Sequence, residues 1–210
     1  MVANTSENKD EILAWQAKLS LDPTMANLIQ TGKSIDQEAH EDIYLSLLGS
    51  IISQQLSTKV ARVIRNRFLD LFPGGYPQPE VVLAQTDETL RGVGLSFQKS
   101  GYIRNVASFA LAGNLDYILI GQMDDEALIK HLIQIKGVGR WTAEMILMFT
   151  LIRPDVFPVD DLGIQNAMKK LYHLTQTGKE LQAEIVRIAE NWRPYRTLAS
   201  RYLWQALDNG

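Results

Sequence analysis

Apolar residues recur along this chain three and four positions apart, and no long run alternates apolar with polar as a half-buried strand would. That spacing predicts an amphipathic helix over Asp10 to Leu21. Asp22 followed by Pro23 reads as an N-cap with proline at the first helical position, opening a second short helix. The stretch TGKSIDQE (31–38) reads as a loop. Asp42 to Gln54 is apolar almost all round and predicts a buried helix. Ser57 to Phe72 sets Lys59, Arg62, Arg65 and Arg67 against Val60, Val63, Ile64 and Phe68, one polar side and one apolar. PGGYPQP (73–79) then breaks the pattern more strongly than any other segment. Further helices are expected near 79–85, 87–91, 96–112, 116–120, 124–135, 140–151, 161–173, 179–191 and 195–207, with Pro154, Pro158 and Pro194 punctuating the last of them. The expected fold class is all-α, with about a dozen helices on short connections.

Composition narrows what such a chain does. Its 210 residues suffice for one domain or two small lobes sharing a core, and 46% hydrophobic residues favour folding over disorder. There is no cysteine, which excludes disulfides, thiol catalysis, zinc–thiolate sites and cysteine-held iron–sulfur clusters. The start of the chain, MVANTSENKDE, lacks the apolar core of a signal peptide, and the longest apolar patches, such as MILMFTLI (145–152), are too short to span a bilayer. An intracellular protein with no membrane partner is the expectation. The net charge of −3 argues mildly against a nucleic-acid partner, but binding follows local potential, and positive charge is clustered here.

One cluster flanks a glycine turn. IKGVGRWTAEMILMF (135–149) places Gly137 and Gly139 between Lys136 and Arg140, at the mouth of a helix. A glycine past a helix end can take the left-handed conformation that stops it, so Gly137 is expected to end the helix 124–135. Gly139 then lets backbone approach a ligand, and the free N–H groups opening the next helix suit phosphate oxygens. Taken alone, a GxG turn is better read as one that simply packs two helices together. LRGVGLS (90–96) is a fainter copy of the same turn.

The whole stretch is more specific. It resembles the helix–hairpin–helix of the DNA glycosylase superfamily that carries a catalytic aspartate shortly downstream. Three further stretches follow that family's order: SIISQQLSTKVA (50–61), DVFPVDDLGIQNAMKKLY (155–172) and ENWRPYRTLASRYLW (190–204). Together they make roughly residues 40 to 207 similar to the 3-methyladenine DNA glycosylase II, or alkylation-repair, branch. The resemblance implies two helical subdomains with an active-site cleft between them. One runs over about 45–140 and ends in the helix–hairpin–helix (125–150). The other combines about 1–44 with 151–210. It also implies a compact form without the extra N-terminal β domain of some members.

Roles carry over residue by residue. The family pattern aligns Asp161, not Asp160, with the catalytic position, although an aspartate there would by itself read as a helix cap. Trp141 and Trp204 align with aromatic pocket positions, where stacking and cation–π attraction would favour a flipped, electron-poor base; core packing is the plainer alternative. Trp15, Trp192, Tyr44 and Phe157 stay undecided between core and pocket wall. Gln55 or Leu56 would fill the hole left in the duplex, with Gln55 aligning better; a tight helix junction explains QQLS as well. Lys136, Gly137, Val138, Gly139, Arg140, Thr142 and Lys59 would contact the DNA backbone. The carbonyls of Ile133, Ile135 and Val138 would ligate a monovalent cation, Na⁺ or K⁺, at the hairpin, with no catalytic cofactor. Relatives that also cut the strand use a lysine where Trp141 stands, so the resemblance implies a monofunctional enzyme acting on alkylated bases in double-stranded DNA, and a monomer is expected because one lesion needs one pocket. A non-catalytic DNA-binding module, or a glycosylase for deaminated or mismatched bases, are the competing readings.

Overall fold

The computed structural model describes residues 13–35 and 42–208, and those residues form helices and connections with no strand. Short polar residues set the helix starts. The side chains of Asp22, Asp42, Ser57, Ser96, Asp116, Asp124 and Asp161 each accept a backbone N–H in the first turn that follows. Such caps satisfy donors that a helix start leaves unpaired, each contributing about 1 kcal/mol.

By its contacts the chain divides into two units, Ala39–Leu151 and the discontinuous Met1–Glu38 with Ile152–Gly210. The continuous unit is built on α3 (Ile43–Ser53), which packs on α4 (Thr58–Leu69), α7 (Phe97–Leu111) and α10 (Arg140–Phe149). Its Leu47, Leu48, Ile51 and Ile52 are all buried, which is why the sequence shows little amphipathicity there. The short helices α5 (Pro79–Ala84) and α6 (Asp87–Gly92) lie on α7, and α9 (Asp125–Leu132) lies on α10. A last short helix, α8 (Tyr117–Gly121), links α7 to α9.

The discontinuous unit gathers α1 (13–19) and α2 (Pro23–Thr31) with α11 (Leu162–Leu171), α12 (Gly178–Ala189) and α13 (Arg196–Asp208). Trp192 is its best-buried large side chain, and its indole N–H donates to Asp22 Oδ2 at 3.0 Å, as does the Tyr172 hydroxyl at 2.8 Å. Asp22 Oδ1 meanwhile caps α2. One carboxylate thus joins the two ends of a unit that is far apart in sequence. Trp15, Trp192 and Tyr44 are core residues, and the half-buried Phe157 packs edge-on against Trp192.

Two expectations change. The helix expected over 124–135 ends at Leu132, so Gly137 does not stop it. Ile133 N–H already turns back to Ile129 and His131, and Gln134 and Ile135 continue as tight turns. Apolar spacing persists because Ile135 is buried in the turn, whereas Ile133 is exposed. The start of the first expected helix, Asp10 to Ile12, and the end of the 31–38 loop lie outside the described residues.

Candidate nucleic-acid interface and active-site carboxylate

The two hairpin glycines answer to different demands. Gly137 has φ +109°, and a Cβ there would lie 2.3 Å from the Tyr102 ring. Both backbone and packing therefore require glycine at 137. Gly139 is the N-cap of α10 with φ −95°, and a Cβ there would meet nothing within 4 Å. Nothing inside the protein asks for glycine at 139. Among the described residues no side chain caps α10, and the turn at its start is exposed at Gly139 and Arg140. Val138 and Ile135 are buried and pin the turn from below, with Val138 N–H donating to Ile135 O at 2.9 Å.

Three side chains tie this turn and the junction after α3 together, Gln54 directly and Asn105 and Lys99 through α7. Gln54 Nε2 donates to Gly137 O at 3.0 Å. Asn105 Nδ2 donates to Lys136 O at 3.1 Å. Lys99 Nζ donates to the carbonyls of Ile52 and Gln54 at 2.8 and 2.7 Å, closing the C-terminal end of α3 with a cation. Burial pulls the Lys99 ammonium below its usual value. The chain then passes through Gln55 at φ +59°, an uncommon conformation for a residue with a side chain. Gln55 and Leu56 project from this junction, both exposed. The sequence motif QQLS is therefore a tight junction and a protruding tip at once.

The basic residues divide as well. Lys136, Lys59 and Arg62 are exposed, with no ion pair among the described residues. Arg140, expected on phosphate, instead has its guanidinium on Glu126 and Glu144, the latter at 3.0 Å. Its hydrogen bond to Arg140 holds the Glu126 carboxyl below the usual carboxylate range. The side chain of Arg140 thus ties α9 to α10, which leaves the backbone N–H as its contribution to the turn. Thr142, expected to offer its hydroxyl, is only 5% exposed because this position of α10 turns inward.

Trp141 lies on the outer side of α10 and is 47% exposed, with Met145 and Phe149 following one and two turns on. Met145 and Phe149 line a cavity of about 390 Å³ together with Ser46, Ser50 and Arg65. The sequence reading missed this cavity, though the four-residue spacing from Trp141 marks the stripe. A larger cavity of about 760 Å³ in the same unit carries Asp42, Glu80 and Asp116, the wrong sign for a polyanion.

In the other unit, Asp161 opens α11. Its Oδ1 accepts Ile164 N–H at 2.8 Å and Trp204 Nε1–H at 2.9 Å. The cap and the aromatic residue expected in the pocket therefore meet at one oxygen. Asp160 points elsewhere and accepts from Gln182 at 2.8 Å, a structural role. Leu162, beside Asp161, is 73% exposed, so the carboxylate has an apolar neighbour at the surface. The approach to this turn is anchored on α13. Arg196 holds Asp155 at 2.7 Å, and Thr197 bridges Arg153 O (2.6 Å) and Val156 N–H (3.0 Å).

The hairpin and Asp161 both lie within the stretch that a family comparison matches. Residues 48–194 match the HhH-GPD superfamily of base excision DNA repair proteins, and the chain belongs to that family. Among its relatives is the DNA-3-methyladenine glycosylase 1 of Schizosaccharomyces pombe, 36% identical over 164 residues, which are 77% of this chain and 71% of that protein. A putative DNA-3-methyladenine glycosylase of Bacillus subtilis is 33% identical over 79% of this chain, but only 59% of its own length is matched. A solved structure of an S. pombe 3-methyladenine DNA glycosylase in complex with abasic DNA superposes with a TM-score of 0.81 at 32% identity, covering 93% of this chain and 97% of that one. No described helix is long and apolar enough to cross a membrane.

Proposed function

We propose that this chain is a monofunctional DNA glycosylase that hydrolyses the N-glycosidic bond of alkylated purines, such as 3-methyladenine and 7-methylguanine, in duplex DNA. The observation that carries the reading is Asp161 Oδ1 held by two N–H donors at the start of α11, downstream of an uncapped hairpin helix. As the base departs, the sugar gains oxocarbenium character, and a fixed carboxylate stabilises that charge without having to reorganise. Water then bonds to the anomeric carbon and loses its proton, with the same carboxylate placed to orient it. N-alkylated purines carry a positive charge and leave as neutral bases, so little acid assistance is needed. Trp141 offers an exposed aromatic face for such a ring.

The hairpin binds the backbone through the first N–H groups of α10, with Lys136 and Lys59 adding charge. The tight turn from Ile133 to Val138 brings the carbonyls of Ile133, Ile135 and Val138 within six residues, the set assigned to a monovalent cation. Gln55 and Leu56 enter the duplex where the base has left. Work on DNA supports an intracellular location.

The deciding experiment is base release from methylated duplex DNA by wild type and Asp161→Asn. Wild type is expected to free 3-methyladenine or 7-methylguanine, and the variant to bind DNA equally but release at least 100-fold less, about the loss expected when electrostatic stabilisation is removed. DNA binding by both with base release by neither would leave a non-catalytic binding module. Borohydride is expected to trap no covalent adduct, since Trp141 occupies the position of the lysine; a trapped band would contradict the monofunctional assignment.

A further inference from the structure

The fifth residue of VDDLGIQ, Gly163, is not explained by its backbone. It lies inside α11, and its φ is not in the left-handed region. At such a position alanine would favour the helix by up to about 1 kcal/mol. Its surroundings supply the reason. A Cβ at Gly163 would lie 2.9 Å from Asp161 Oδ1, 3.1 Å from Trp204 Cδ1 and 3.2 Å from Trp204 Nε1. Two of these atoms, Asp161 Oδ1 and Trp204 Nε1, are the ends of the hydrogen bond that fixes the carboxylate, and Cδ1 is the ring carbon bonded to that nitrogen. The helices α11 and α13 pack together, so the indole approaches across the point where a side chain on residue 163 would stand.

We infer that Gly163 is a positioning residue: the space left by its missing side chain lets the Trp204 indole lock Asp161 Oδ1, and so sets the carboxylate's orientation. The inference rests on Asp161 acting in catalysis as proposed. Trp204 then has a role beyond an aromatic wall. With Ile164 N–H on one side and the indole N–H on the other, Oδ1 is held from two directions, and rotation of the carboxylate would break both bonds. Any side chain at 163 forces either the indole or the carboxylate away.

The test compares single-turnover base release from methylated duplex DNA by wild type, Gly163→Ala, Trp204→Phe, the double variant and Asp161→Asn. DNA affinity is measured alongside, and the Trp204 indole N–H signal is followed by NMR. Gly163→Ala is expected to slow release about tenfold or more, as losing a hydrogen bond to a charged group does, with DNA affinity within twofold of wild type. Its indole signal is expected to exchange faster than in wild type. Trp204→Phe is expected to slow release similarly, and the double variant no further than Trp204→Phe alone, because both changes remove one contact. Wild-type release by Gly163→Ala, or losses that multiply in the double variant, would overturn the inference while an inactive Asp161→Asn still upholds the catalytic reading. An active Asp161→Asn would overturn both. If Gly163→Ala fails to fold, Trp204→Phe decides: a wild-type rate from that variant refutes the locking contact.

Discussion

The chain builds the same turn twice, and only one copy is left open. In the first, α6 ends at Gly92, Gly94 takes φ +107°, Leu95 is buried and Ser96 caps α7. In the second, Gly137 takes φ +109°, Val138 is buried and Gly139 precedes α10. By backbone conformation Gly94 corresponds to Gly137, which puts Ser96 opposite Gly139, two residues off the register in which LRGVGLS and IKGVGRW look alike. The consequence is chemical. Ser96 Oγ accepts Lys99 N–H at 3.2 Å, so that helix satisfies its own first turn. Gly139 has no side-chain atom with which to do so, and no side chain among the described residues caps α10. Under the proposed function, a phosphate-binding site differs from a structural corner here by one missing hydroxyl.

The contrast can be broken at three points. The largest effect is expected from Gly137→Ala. That substitution meets both a positive φ and the Tyr102 ring, and should cost roughly 2–4 kcal/mol of stability, the range of overpacking plus left-handed strain. Chemical denaturation reads it, and an unchanged midpoint would mean that Tyr102 and the turn adapt freely. Next is Gly139→Asp. The protein has room for that side chain, so stability should hold, while DNA affinity falls about tenfold or more because a carboxylate stands where phosphate binds. Unchanged affinity at low salt would remove the hairpin from the interface. Smallest is Ser96→Gly, which makes the first turn as open as the second. It should cost only a few tenths of a kcal/mol and leave DNA affinity unchanged. Tighter binding by that variant would show that the first turn becomes a second phosphate site once uncapped.

Much of this architecture was legible in the sequence because its signals are local. Asp22, Asp42, Asp124 and Asp161 mark helix starts with a side chain that reaches two or three residues ahead, and apolar spacing reports which face is buried. The same locality explains the failures. The helix ending at Leu132 was extended to 135 because a turn that faces the core keeps the apolar rhythm after the backbone has left the helix. Gly137 was read as a helix stop when its neighbour is Tyr102, 35 positions away by number. Lys99, which closes α3, carries no motif at all, and the requirement for Gly163 becomes visible only when α13 is set against α11. Arg140 carried the right charge in the right motif, yet Glu126 and Glu144 claim it. Pairing between helices was beyond what spacing reports.

The bond from Gln54 to Gly137 O spans 83 residues of sequence and joins the turn that grips to the tip that protrudes. Under the proposed function, this has a bearing on search. A protein that must inspect a long polymer loses time if it gathers its probe afresh at every stop. Here the anchor and the probe are one rigid piece, with Lys99 and Asn105 as further ties. Each step along the phosphates then brings Gln55 and Leu56 to the next base pair already in place. The dwell at each position is set by how readily that pair opens, and damage announces itself as the pair that yields first.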